Sequence, residues 1–285
     1  MANGLLAYDN LVDGGAFQDG LWMEELPLAN LQDRQLGVVA RSRNLLLSST
    51  RFVFDAGRSP TIRVIDLVAH NWTLDAKVRL YSSPVSNFAS LGMDTGWVDV
   101  WPTVYPFGTI PWGAPNWWDR RYTAKQIARL KREKILILPN DSFDRYWALE
   151  IDDQTNPDGY VQLGRPFFGP ALQWKTNFSF GAGIGVEDPS QIDQALSAAE
   201  YFDERPVRRV VGFNTDWLEE DEALAGVFEM QLVSGITKEV VFVWNPADTI
   251  HFQRRSFLGR LGKLDRISNP YVSVHKAAHE IKELI

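Results

Sequence analysis

The 285-residue chain has no cysteine, which excludes disulfide stapling and thiolate metal sites and fits a chain that folds in a reducing compartment. Histidine is scarce. Two of the four, His275 and His279, lie four apart in HKAAHE, a spacing that on a helix would put both imidazoles on one face. The order is not HExxH, so the glutamate of a zinc hydrolase is misplaced. No apolar run reaches the ~18 residues that span a bilayer. The N-terminus MANGLLAYDN lacks a basic n-region, so no signal peptide is expected and synthesis in the cytoplasm is. No serine stands in a GxSxG context, and GAGIG at Gly181 to Gly185 lacks the Lys-Ser/Thr of a phosphate loop. Asp152, Asp153, Asp158 and Gly159 lack the DxDxDG spacing of a calcium loop and read as a turn joining two strands. The acidic run Asp216, Glu219, Glu220, Asp221 and Glu222 reads as a solvated helix start that offsets the macrodipole. A net charge of −7 argues against a phosphate-tracking surface. One cationic stretch, Arg120 to Lys134, stands alone. No catalytic, cofactor or metal residue is assigned, and an enzyme is not expected.

Alternation and aromatic residues are what the chain does have. Hydrophobic residues make up 45% and charged ones 23%, values of an ordinary globular protein with enough length for two domains. Arg51 to Gly57, Thr61 to His70 and Ala76 to Ser82 alternate apolar and polar residues at the strand period. Arg145 to Pro170 reads as two further strands closed by a polar turn. Lys134 to Pro139 (KILILP) is another strand, preceded by a short basic surface helix over Asp119 to Lys134 with Thr123 as N-cap. Residues 1 to about 50 read as irregular.

A second unit is expected from about residue 173. Its glycine-rich start leads into a helix-prone stretch ending near Pro206, followed by a strand over Arg208 to Trp217. Asp216 with Glu219 predicts a capping box. Leu224, Val227, Phe228 and Leu232 predict the apolar face of a helix that ends at Gly235. Val240 to Trp244 and Phe252 to Leu261 read as strands, so this unit is α+β.

Eleven tryptophans are present, and Trp97, Trp101, Trp112, Trp117 and Trp118 crowd a stretch broken by Pro102, Pro106 and Pro111. Proline cannot sit inside a central strand, so the segment reads as an aromatic loop. Such a loop is too irregular to bury every ring, and exposed tryptophans stack on sugars or anchor protein interfaces. Trp101, Tyr105, Trp112, Trp117 and Trp118 are therefore the candidate interface or glycan surface.

With FDAG, IRVIDLVAHN and the RYWALEID strand in place, residues 1–172 resemble the galactose-binding-like (discoidin-like) jelly roll, a β-sandwich. The family's sugar-binding arginines and aromatics find no residue-by-residue match here. LPLANLQDRQLGVVARS, WPTVYPFGTIPWGAPNWWDRRY, DWLEEDEALAGVFEMQLVSGITKEVVFVWNP and the ending HEIKEL look like a tail-tip or baseplate protein of long-tailed phages and prophages. That resemblance implies a mainly β chain whose residues 173–285 form a tail-tube-like distal-tail module. It further implies a structural role in the virion tail tip, assembled in the host cytoplasm. The module would join a ring, a hexamer by analogy, at the end of the tail tube, with the tube protein, tape measure and hub or fibre proteins as neighbours. Candidate ring contacts are Val240, Phe242, Trp244, Phe252 and Phe257, on the reasoning that unpaired sheet edges invite a second chain. The alternative is an adhesion module that binds host surface glycans through the aromatic loop. Nucleic-acid specificity and a membrane span are not expected.

Overall fold

The computed structural model describes residues 2–285, which form two units. One comprises residues 10–171 and 247–254; the other comprises residues 2–9, 172–246 and 255–285. A single cut between 172 and 173 therefore needs correcting at two places. Residues 2–9 belong with the C-terminal unit because Leu5–Ala7 is a strand, paired antiparallel to Glu239–Val243. Residues 247–254 belong with the sandwich.

In the sandwich unit a five-stranded sheet contains Ala16–Gln18, Phe52–Asp55, Tyr146–Asp152, Lys77–Ser83 and Met93–Asp99, in that order. A three-stranded sheet contains Pro166–Gly169, Ile62–Val68 and Glu133–Ser142. All the pairings are antiparallel. The alternation in KVRLYSS explains the facing: Val78 and Leu80 are buried while Lys77 is exposed and Arg79 half-buried. Phe54 lies opposite Trp147 across the register and packs on Phe168 at 4.9 Å. The Trp147 indole donates to the carbonyl of Asp144 at 2.9 Å, which satisfies its one polar atom. Truncating this fully buried ring to alanine would cost about 3–5 kcal/mol.

The helix expected over Asp119 to Lys134 shrinks to Ala124–Ile127. Thr123 caps it and forms a reciprocal box with Gln126. Extension beyond that fails because Glu133 onward enters the three-stranded sheet, burying Ile135 and Leu136.

The sheet unit has an eight-stranded sheet. Its main path runs Ala171–Gln173, Leu5–Ala7, Glu239–Val243, Ser256–Leu261, Val274–Glu283, Arg208–Leu218 and Gly183–Glu187. Val274–Glu283 alternates strictly, with His275, Ala277, His279, Ile281 and Glu283 turned inward. Gly259 is needed where this strand comes close, because a Cβ there would lie 2.6 Å from the carbonyl oxygen of Lys282.

Four expectations for this unit are corrected. Asp216 lies within a strand that runs to Leu218, and the helical segment starts at Glu220, where Glu222 and not Asp216 supplies the side chain at the helix start, accepting from Glu219 N at 3.3 Å. That segment is π-helical over Glu222–Phe228 and α-helical over Glu229–Ser234. The wider π turn rotates the pattern, so Ala223, Gly226, Val227 and Met230 face the core, while Leu224, Phe228 and Leu232 are exposed. The helix-prone stretch before Pro206 is instead a hairpin of Gln191–Gln194 with Glu200–Asp203. Phe252–Arg255 is one helical turn preceding the strand, not part of it.

Candidate functional site

Residues 100–123 leave the five-stranded sheet as a long loop. Pro102, Pro106, Pro111 and Pro115 remove the amide protons that a ladder would need. Successive turns replace the ladder: Thr109 N donates to Pro106 O, Ala114 N to Pro111 O and Trp117 N to Ala114 O. Gly108 and Gly113 supply the positive φ that two of these bends require, +81° and +84°.

The loop is fastened at its base. Arg120 adopts a left-handed φ of 54°, and its carbonyl accepts from both Val104 N and Tyr105 N at 3.1 Å. The buried Asn116 donates to Arg121 O at 2.7 Å. Arg121 reaches back to the sheet, donating to Leu74 O at 2.6 Å and pairing with Asp99 at 3.3 Å. Beneath it, Lys134 is buried and donates to Asp99 O; burial holds its ammonium down to about 8, against the pull of Asp99.

On this frame the candidate residues separate. Trp112 and Trp118 are 80% and 86% exposed. Trp117 is half-buried and edge-on to Trp112 at 5.0 Å. Phe107, which sequence reasoning missed, stands 82% exposed with its ring 6.4 Å from Trp117. Tyr105 is half-buried against Tyr122. Trp101 is corrected: at 1% exposure it belongs to the core beside His70, because it directly follows the buried Val100 at the strand end. Burial drives the His70 pKa down to about 3, helped by Arg132 and Lys134.

A cleft of about 330 Å³ opens where the loop meets the helical turn at Ala124–Ile127, lined by Tyr105, Ile110, Asn116, Lys125, Gln126 and Arg129 among others. One wall is a hydrogen-bonded relay in which Gln126 Nε2 donates to the Tyr105 hydroxyl at 3.0 Å and Thr123 N donates to Gln126 Oε1 at 2.8 Å.

The candidate ring contacts need correction. Val240 and Phe242 lie in a strand paired on both sides, by Leu5–Ala7 and by Ser256–Leu261, so no open edge exists there. They and Phe257 are fully buried. Phe252 is half-buried in its helical turn. Trp244 is half-buried and lines an open groove of about 740 Å³ with Phe178, Phe180, Asp216 and Trp217.

His275 and His279 are on a strand, not a helix, and both are buried. His279 stacks on Phe213 at 4.8 Å and meets the Thr215 hydroxyl at 3.2 Å; burial lowers its pKa to about 4. Asp153 accepts from Thr73 N and Asn156 Nδ2, and Asp158 accepts from Asn71, so these carboxylates fasten a turn. Among the described residues no cluster of three His, Asp or Glu could hold a metal, and no helix is long and apolar enough to cross a membrane.

No protein-family model matches the chain, and a search of curated proteins finds no match. Among solved structures, the chain is similar to the CBM32-1 module from a family 31 glycoside hydrolase of Clostridium perfringens: 12% identity, TM-score 0.36, covering 57% of this chain and 99% of that one. It is also similar to CpGH89CBM32-6 produced by Clostridium perfringens, at 13% identity and TM-score 0.34 over 56% of this chain and 98% of that one. A third is a family 89 glycoside hydrolase from the same organism, at 10% identity and TM-score 0.36, covering 56% of this chain and 14% of that one. None of the three is a phage tail protein. At these identities and scores the likeness assigns no function to this chain.

Proposed function

We propose that this protein is a non-catalytic carbohydrate-recognition protein whose sandwich unit binds glycans through the aromatic loop at residues 100–123. The observation that carries this reading is that Phe107, Trp112 and Trp118 stand free on a loop whose base is tightly bonded. Exposed rings on a rigid support offer flat apolar faces for sugar C–H groups at low entropic cost. Hydrogen-bonding side chains line the adjoining cleft, and such groups fix a ligand's orientation. Tryptophan fluorescence titrated with a panel of oligosaccharides tests it. A saturable change that disappears in Trp112→Ala supports the reading; no response from any member of the panel opposes it.

A second reading rests on a separate observation in the sheet unit. Among the described residues the hairpin Gln191–Gln194/Glu200–Asp203 pairs with no other strand, and it exposes Ile192, Leu196, Tyr201 and Phe202. Apolar side chains held on such an arm favour contact with another chain. Under this reading a second copy receives the arm, and the chain is a structural subunit, in its most specific form a tail-tip ring protein of a long-tailed phage. The two end strands of the sheet, Ala171–Gln173 and Gly183–Glu187, suit a heterologous contact that closes by rotation. Sedimentation at rising concentration tests it: closed oligomers support the reading, and a monomer at every concentration opposes it.

A further inference from the structure

We infer that the cleft beside the aromatic loop selects anionic sugars, those carrying a carboxylate or sulfate, over neutral ones; this rests on the carbohydrate reading above and names the ligand class of that site. Lys125 and Arg129 both line the cleft and are exposed, and no acidic residue lines it with them. Among the described residues neither forms an ion pair, whereas the neighbouring Arg121 is spent on Asp99 and Asp75.

The charge is placed against the trend of the chain. The net charge is −7, yet residues 119–134 carry seven Lys and Arg against two acidic residues, and of these Lys125 and Arg129 line the cleft. A cluster of one sign beside a concave surface raises the local concentration of the opposite ion.

The cleft wall also suits a sugar more than a bare polyanion. Gln126 is fixed by Thr123 and donates to the Tyr105 hydroxyl, which retains its own proton for donation. Arg129 offers a planar fork matched to a carboxylate or sulfate, and Lys125 offers a point charge. The rings of Trp112 and Trp118, on the same loop, supply the stacking face that a bare polyanion does not need.

The test uses the full chain in calorimetric titrations against matched pairs: oligogalacturonate with its methyl ester, sialyllactose with lactose, and a sulfated with an unsulfated galactan oligosaccharide. Polyglutamate is the control for charge alone. The inference expects at least one acidic member to bind roughly tenfold tighter than its neutral partner, the sum for two partly desolvated ion pairs. That preference should be lost in Lys125→Ala/Arg129→Ala, the acidic member losing roughly tenfold more affinity than its neutral partner. Equal binding of acidic and neutral partners overturns the inference and leaves the carbohydrate reading standing. So does a preference that survives the double variant. Polyglutamate bound as tightly as the acidic sugars, with the same loss in the variant, also overturns it, because the patch would then read charge alone. No binding to any sugar overturns both readings. Both side chains are exposed, so the variant should retain its fold, which circular dichroism checks.

Discussion

Arg121 spans from the aromatic loop to the strand-connecting segment below it, placing Nη1 2.6 Å from the carbonyl oxygen of Leu74. The same guanidinium pairs with Asp99, and the Arg121 carbonyl accepts from Asn116. One residue thus fastens both the backbone of the loop and its attachment to the sandwich.

Arg121→Ala should therefore lower the stability of the sandwich unit by about 1–3 kcal/mol, since it strands a carbonyl and a carboxylate that are now paired. It should also weaken glycan binding while leaving every ring in place. Urea melts alongside fluorescence titrations measure the two effects. A variant as stable as the parent would show that the clamp does not hold the loop.

The tryptophans of the cluster should separate by role. Trp112→Ala and Trp118→Ala remove exposed rings, so unfolding free energy should stay within about 0.5 kcal/mol of the parent, while each loses about 1 kcal/mol of sugar affinity. Trp101→Ala opens a core cavity and should cost about 3–5 kcal/mol of stability. Chemical denaturation distinguishes them directly, and a large loss of stability in Trp112→Ala would contradict the exposure described.

Acid should destabilise both units through buried imidazoles. His70 falls from 6.5 to about 3 and His279 from 6.5 to about 4, in each case because burial disfavours the charged ring. In the unfolded chain both take up a proton near pH 6.5, whereas the folded chain resists it. Their contribution is complete above that pH and is lost progressively as pH falls toward 4 and then 3. His70→Asn keeps an acceptor for the Trp72 amide, which His70 Nδ1 now receives. Between pH 7 and pH 4 the variant's sandwich transition should fall less steeply than the parent's. Parallel slopes would show that His70 is not held neutral.

Removing the arm should leave the monomer intact. Replacing residues 191–203 by a short Gly-Ser turn deletes a hairpin that contributes nothing to the buried apolar core of the sheet unit. Thermal unfolding should be unchanged, and any self-association of the parent should be lost. Association that persists without the arm would direct attention to the exposed helix side chains Leu224, Phe228 and Leu232.

The sandwich strands were legible in the sequence for two reasons: KVRLYSS alternates as a half-buried strand does, while FVFD and IRVIDLV, buried on both faces, are rich in aromatic and β-branched residues. What was not legible follows from effects that alternation does not encode. Leu5–Ala7 looked irregular because three residues carry no period, and only its pairing with Glu239–Val243 makes it a strand. The helix face at Leu224 and Phe228 turned outward because one π-helical stretch shifts the repeat. Within the aromatic cluster, sequence placed the loop but not the depth of each ring. Trp101 and Trp112 have equally apolar side chains, and one lies in the core while the other is in solvent. The cleft was invisible because Tyr105, Asn116 and Arg129 meet only through the bends at Gly108, Gly113 and Arg120.

The most direct test of the carbohydrate reading is an NMR titration following the eleven tryptophan indole N–H signals as an oligosaccharide from the panel is added. The account predicts that the signals of Trp112, Trp117 and Trp118 shift while those of the buried Trp101, Trp147 and Trp174 stay fixed. Shifts confined to Trp217 and Trp244 in the sheet unit, or no shift with any sugar, would contradict it.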